Sequence, residues 1–284
     1  MKDIERADSL PIPDKSLRAY SEDAIKGVRG WLSIDEAAML TTLATKVPVE
    51  NSIVEIGSFQ GRSTCALAAG TKIGYHSKVH AVDTFSGLEG IFPENTLSIF
   101  QSNLLHKQLQ DEVIIHKGKS LEAAKEWQGN NIGFLFIDAD HSYESVQSDL
   151  QDWLPHLSPN ALIAFHDSNQ PGPNKLLREI TRNADNKIRL IGLRDSLAIL
   201  QIQDKRTDNG CAVRKSVWLK YLTILGQDFA KYIENEKIKL KKATLDLLNQ
   251  AEQSVTKLSN VRVEKNLRGP SYKFAENQGR NESC

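Results

Sequence analysis

From residue 52 onward the chain alternates short apolar runs with amphipathic stretches, a pattern that restricts the fold to a parallel sheet covered on both faces by helices. Strands are expected near 52–56, 78–83, 112–116, 132–138 and 160–166, with helices near 61–70, 95–107, 119–127 and 143–154. The stretch 187–202 then holds two apolar runs joined by the polar link Arg194-Asp195, the composition of a tight hairpin. Most doubly wound sheets lack such an antiparallel finish, so the hairpin narrows the choice of architecture further.

The rest of the chain divides around this block. Residues 1–50 read as an arm and a helix: Pro11 and Pro13 suggest extended chain with at most a short helix. Ser33-Ile34-Asp35-Glu36 is a capping box ahead of Ala37, Leu40, Leu43, Ala44 and Val47 at helical spacing. Residues 51–205 form the sheet domain, and 206–265 are helical in composition, with Leu248, Ala251, Val255 and Leu258 on one stripe. That stripe suits a packing helix or an arm through which two copies associate, and the polar end, 266–284, is expected to be disordered.

Bulk properties exclude several function classes. With 284 residues and 40% hydrophobic content the chain can bury a large core. Lys plus Arg equal Asp plus Glu at 36 each, so no global field gathers nucleic acid or an anionic membrane, and a small-molecule substrate is expected. No apolar run approaches the roughly 20 residues of a spanning helix. The amino terminus has no apolar stretch of a signal peptide, and Cys65, Cys211 and Cys284 lack C-x-x-C spacing; the expectation is a reducing cytoplasm.

Two segments carry chemistry. In Ile53-Val-Glu-Ile-Gly-Ser-Phe-Gln-Gly-Arg-Ser-Thr64 a buried strand breaks at Gly57 and a helix starts at Gly61. A carboxylate, Glu55, stands two residues before the first glycine, where it would repel a pyrophosphate and attract an ammonium. Ligands of open α/β sheets sit outside the carboxyl ends of the strands, which selects Asp83 after the second strand as a partner for a ribose hydroxyl pair. Gly118 and Ser120 follow the third strand. The fourth strand ends Phe136-Ile137-Asp138-Ala139-Asp140-His141-Ser142-Tyr143 and the fifth Phe165-His166-Asp167-Ser168, so acids and histidines crowd adjacent strand ends.

The first segment, E-x-G-x-x-x-G-x-S/T, resembles motif one of the class I S-adenosylmethionine-dependent methyltransferases. The second resembles a broad methyltransferase family reading D-x-D-H-S-Y and F-H-D, several of whose members methylate sugar hydroxyls. It is also similar to the metal-dependent catechol and caffeoyl-coenzyme A O-methyltransferases, whose D-A-D-K-x-x-Y segment has a catalytic lysine where His141 stands. The resemblance covers roughly residues 30–205 and implies an α/β, doubly wound, Rossmann-like seven-stranded sheet with a terminal antiparallel hairpin and helical extensions at both ends.

It further implies S-adenosylmethionine bound by Glu55, Gly57, Ser58, Gly61, Ser63, Asp83, Gly118, Ser120 and Asp138. A divalent cation such as Mg²⁺ would be held by Asp138, Asp167 and Ser168, where the catechol type has asparagine in place of the serine. Two facing carboxylates need a cation or a proton between them. His141 is the expected base that deprotonates the hydroxyl of a small polar acceptor, a sugar or glycoside among the candidates. His166 is expected to orient Asp167 or to pack beneath the site. Two alternatives remain open at this point: a cephalosporin hydroxylase-like relative, and a non-catalytic assembly protein that docks partners through its carboxyl-terminal helices.

Overall fold

Apolar residues at alternate positions of a buried strand face opposite sides of its sheet, and here they build two separate cores. A computed structural model describes residues 13–87, 96–182 and 187–203. The chain divides into two units, Met1–Leu225 and Gly226–Cys284, and all described residues fall in the first. The helices expected at 206–265, the tail at 266–284, Pro11, Cys211 and Cys284 lie outside the described residues.

Seven strands form one sheet: β1 (Ser52–Ile56), β2 (Val79–Asp83), β3 (Val113–Lys117), β4 (Ile132–Ile137), β5 (Leu157–Phe165), β6 (Ile188–Arg194) and β7 (Leu197–Ile202), in the order β3-β2-β1-β4-β5-β7-β6. The first five pair in parallel, and β7 enters antiparallel between β5 and β6. After β1 the chain moves outward to β2 and β3 and then returns to place β4 on the other side of β1. That reversal opens a crevice at the carboxyl ends of β1 and β4.

On one face Ile53, Phe134 and Phe136 pack with α1 (Lys15–Ile25), α2 (Ile34–Ala44), α3 (Arg62–Ile73) and α4 (Leu97–His106). On the other Val54, Ile56, Leu135 and Ile137 pack with α5 (Ser120–Lys125), α6 (Tyr143–Trp153) and α7 (Pro171–Arg182). α2 is buried from Glu36 to Ala44, and its capping box forms: Ser33 Oγ accepts from Glu36 N, and Glu36 Oε2 accepts from Ser33 N at 2.8 Å.

Three elements differ from expectation. The arm expected to be extended carries the full helix α1, whose Asp14 cap accepts from Leu17 N at 2.8 Å and whose Ala24 and Ile25 are buried. Helix α7 begins Pro171-Gly172-Pro173, which has the composition of a loop, although proline suits a helix's first turn because the N–H it lacks has no partner there. Strand β5 starts three residues before the expected boundary, because Asn160 takes a left-handed φ of 62° inside the strand instead of ending it. Among the described residues no helix is long and apolar enough to cross a membrane.

Candidate active site

The loops following β1 to β5 and the segment between α1 and α2 enclose a cavity of about 1070 Å³ at the carboxyl end of the sheet. Its entrance loop depends on Gly57. With φ at 87°, a Cβ there would lie 2.2 Å from the Asp138 carbonyl oxygen, so only glycine lets the β1 loop pass the end of β4. Ser58, Ser63, Asp83, Gly118, Ser120, Asp138, His141 and Asp167 also line the cavity.

Within this lining, Ser58 Oγ is buried without a hydrogen-bond partner, and Ser120 Oγ accepts from Trp153 Nε1 at 2.9 Å. Asp83 is more constrained than its expected role suggests. Its Oδ2 accepts from the backbone N–H groups of Ser58 and Phe59, both at 2.8 Å, and its Oδ1 from Phe85 N at 2.6 Å. It clasps the end of β2 to the glycine loop. A carboxylate offers about four acceptor sites, which leaves capacity for a ligand hydroxyl on the cavity side.

Three expected site residues lie elsewhere. Glu55 is wholly buried and absent from the cavity lining, because side chains alternate along β1 and position 55 faces α3 with Ile53. Its carboxylate accepts from the Thr64 hydroxyl. Burial pushes its pKa up to about 7, against the opposing pull of the Ser63 and Thr64 hydroxyls. It supports the loop from beneath and does not edge the cavity with charge. Gly61, at φ 89°, caps α3 outside the lining, and a Cβ there would meet the Phe100 ring at 3.0 Å, so its smallness admits α4. Ser168 is buried outside the lining, and its N–H donates to Ser196 O at 2.8 Å.

The acids and histidines at the ends of β4 and β5 do converge. His141 Nε2 lies 3.6 Å from Asp138 Oδ1 and 3.6 Å from Asp167 Oδ2, within ion-pair distance of both carboxylates but without a hydrogen-bond partner. The Asp138 carboxylate, with Asp167 behind it, raises the His141 pKa above its ordinary value despite burial. Asp138, His141 and His166 offer ligand atoms within 4.8 Å of one another.

His166, expected to orient Asp167 or to pack beneath the site, is buried and lies closer to Asp138 than to Asp167. Its Nδ1 donates to Asp138 Oδ1 at 3.0 Å, while Asp167 Oδ1 is 3.8 Å away. Its Nε2 faces Glu36 Oε2 at 3.3 Å. Burial would lower the His166 pKa, but Asp138 and Glu36 overcome it and hold the imidazole protonated, with a pKa of about 11. Burial likewise opposes ionisation of Glu36, and His166 and Ser196 outweigh it, bringing that carboxyl down to about 2. Asp138 follows the same logic: burial raises its pKa, yet His166 and His141 hold it below the usual range. Glu36 and Ser196 are the site's unforeseen members. The only sequence signal for Glu36 was the capping box, which accounts for its bond to the helix cap and not for the histidine.

Residues 54–168, from β1 to just past β5, match a family described as a methyltransferase domain. Among curated proteins the chain is 29% identical over 121 residues to the uncharacterized protein y4gI of Sinorhizobium fredii, a match covering 41% of this chain and 13% of that protein. The chain therefore spans a small part of that relative's length. Among solved structures, cofactor-bound Rv0187 from MTB superimposes with a TM-score of 0.51 at 18% identity, covering 70% of this chain and 94% of that one. The SAH-bound Podospora anserina methyltransferase PaMTH1 gives a TM-score of 0.50 at 14% identity, covering 67% and 89%. At these identities the likeness is one of fold.

Proposed function

We propose that this class I S-adenosylmethionine-dependent methyltransferase transfers its methyl group to a hydroxyl of a small, ring-bearing polar acceptor, with a divalent cation at Asp138 and Asp167 and with His141 as proton acceptor. The observation that carries this reading is His141 Nε2, buried without a hydrogen-bond partner and equidistant at 3.6 Å from two cavity-lining carboxylates. Such a cluster can hold one positive charge and take one proton. The donor set fits a hard cation, since Asp138 and Asp167 present carboxylate oxygens. His166 is excluded as a ligand because both its ring nitrogens are committed to carboxylates.

The sulfonium of S-adenosylmethionine supplies an electrophilic methyl, and a bound divalent cation lowers the pKa of a hydroxyl beside it. The chain's residues do the rest. Asp83 and Ser58 offer acceptor and hydroxyl groups to the cofactor's polar edge, while Asp138 and Asp167 fix the acceptor side. His141 Nε2 would take the acceptor's proton as the acceptor oxygen bonds the methyl carbon and the sulfur–methyl bond breaks, its electron pair leaving a neutral thioether. Trp31, 65% exposed and lining the same cavity, lies 5.5 Å from the Phe59 ring and offers an aromatic face to a ring, which supports a sugar or glycoside acceptor. A cytoplasmic setting suits Cys65, a buried free thiol.

Labelled methyl donor offered with a panel of sugars, glycosides and catechols tests the assignment. Label is expected in an O-methyl product, and turnover is expected to stop on chelation while calorimetry still records cofactor binding. Turnover that survives chelation would refute the divalent cation. A hydroxylated product would support the hydroxylase-like relative, and no binding heat the non-catalytic one. His141→Ala should lower turnover about 10²- to 10⁴-fold, the range of general base catalysis, with cofactor affinity kept.

A further inference from the structure

Glu36 belongs to α2, far in sequence from the strand ends, yet it reaches the catalytic cluster. Its Oε1 accepts from Ser196 N at 2.9 Å and Ser196 Oγ at 2.6 Å, in the turn between β6 and β7. Its Oε2 accepts from Ser33 N at 2.8 Å and faces His166 Nε2 at 3.3 Å. One carboxylate thereby ties the start of α2, the hairpin turn and a β5-end histidine together. Ser33 Oγ adds a donation to Asp195 Oδ2 at 2.6 Å across the same junction.

A helix cap and a hairpin anchor account for Ser33 and Ser196 but not for His166. The histidine is 3% exposed and spans two acids, one wholly structural in position and one lining the cavity. Buried ionic chains of this kind are often no more stabilising than apolar side chains of the same volume, so stability alone does not explain it. What the chain does accomplish is geometric. His166 Nδ1 holds Asp138 Oδ1 at 3.0 Å, and the same oxygen lies 3.6 Å from His141 Nε2.

We infer that Glu36 and His166 are a positioning pair: Glu36 anchors the His166 ring, and the ring fixes the Asp138 carboxylate against which His141 is set. The effect on turnover rests on the methyl-transfer reading above; the anchoring itself does not. Outer partners that orient a ligand or catalytic group typically account for about 10- to 100-fold of activity.

Glu36→Gln provides the test, since glutamine at this position also supports a capping box and preserves volume. The expected result is a fall in kcat of about tenfold or more with the KM for S-adenosylmethionine nearly unchanged. His166→Gln should do the same, and the double variant should be no slower than His166→Gln alone, because Glu36 acts through the ring. Additive losses, or Glu36→Gln with wild-type kcat, would overturn the pair. Proton NMR of the folded proteins gives a readout that needs no acceptor. Wild type should show low-field imidazole N–H signals that vanish in His166→Gln and shift in Glu36→Gln; signals unmoved by Glu36→Gln would refute the anchoring. Failure of every acceptor with wild type would sink the methyl-transfer reading and leave this spectroscopic arm standing. If Glu36→Gln folds poorly, Ser196→Ala, which removes one donor to Glu36 Oε1, should give the same shift and the same kcat loss in weaker form; no change in either refutes the pair.

Discussion

Glu55 shows how a residue can matter to a site without lining it. Its folded pKa, about 7, stands above its ordinary value of 4.5, so between these pH values the native state holds a proton that the unfolded chain has lost. Stability carried by that proton is present below about pH 4.5 and declines as pH rises towards 7. Glu55→Gln should therefore gain stability relative to wild type as pH rises from 5 to 8, by an upper figure of roughly 3 kcal/mol. Melting temperatures of both proteins across that range check it; a constant difference would mean that the carboxyl is not perturbed. Gly57→Ala makes the opposite case. A methyl 2.2 Å from the Asp138 carbonyl must push the β1 loop off the end of β4. The variant should lose about 1–3 kcal/mol and lose measurable cofactor affinity by calorimetry. Both residues stand out in the sequence, but only Gly57 has the place its motif suggests. Spacing reveals a turn and an acid, and the side-chain alternation of a five-residue strand decides which way the acid points. Gly61 and Ser168 have neighbours that spacing does not reveal, Phe100 and Ser196, both distant in sequence.

At the scale of elements, the central strands β1 and β4 were legible because each is a dense apolar run buried on both faces, and the hairpin because its two runs are separated by a short polar link. Helices α1 and α7 were not, since the arm's periodicity is weak and Pro171-Gly172-Pro173 has loop composition. The connection between α1 and α2 has a consequence for the acceptor. Arg62, in the first turn of α3, donates from Nε to Leu32 O at 2.9 Å and from a terminal nitrogen to Val28 O at 2.8 Å, holding the segment that carries Trp31. Trp31→Ala removes an aromatic face worth about 1 kcal/mol against a ring, so acceptor KM should rise roughly fivefold while cofactor affinity holds. Arg62→Met should raise acceptor KM in the same direction by loosening the segment. Steady-state kinetics with acceptor and cofactor varied in turn distinguishes these outcomes; a change confined to the cofactor would place Trp31 on the other side of the cavity.

For the whole molecule, the cavity belongs to the point where the sheet reverses direction, and every strand that frames it lies between residues 52 and 202. Among the described residues its lining extends from Arg29 to Gln170, within the unit Met1–Leu225. β6 forms one edge of the sheet and β3 the other, and the strands between them are paired on both sides. The balanced charge of the chain, 36 basic and 36 acidic residues, gives the cofactor no long-range field to follow, which leaves recognition to the loops at the strand ends. Cofactor binding should accordingly survive removal of residues 226–284: calorimetry on a chain ending at Leu225 should return a Kd within about twofold of the full chain, a free-energy difference under about 0.5 kcal/mol. Acceptor kinetics on the same pair then separates two contributions. An unchanged acceptor KM places acceptor recognition within the first unit, in keeping with Trp31, whereas a rise assigns part of it to residues 226–284. Loss of cofactor binding itself would show that the described lining, Arg29 to Gln170, does not suffice for it.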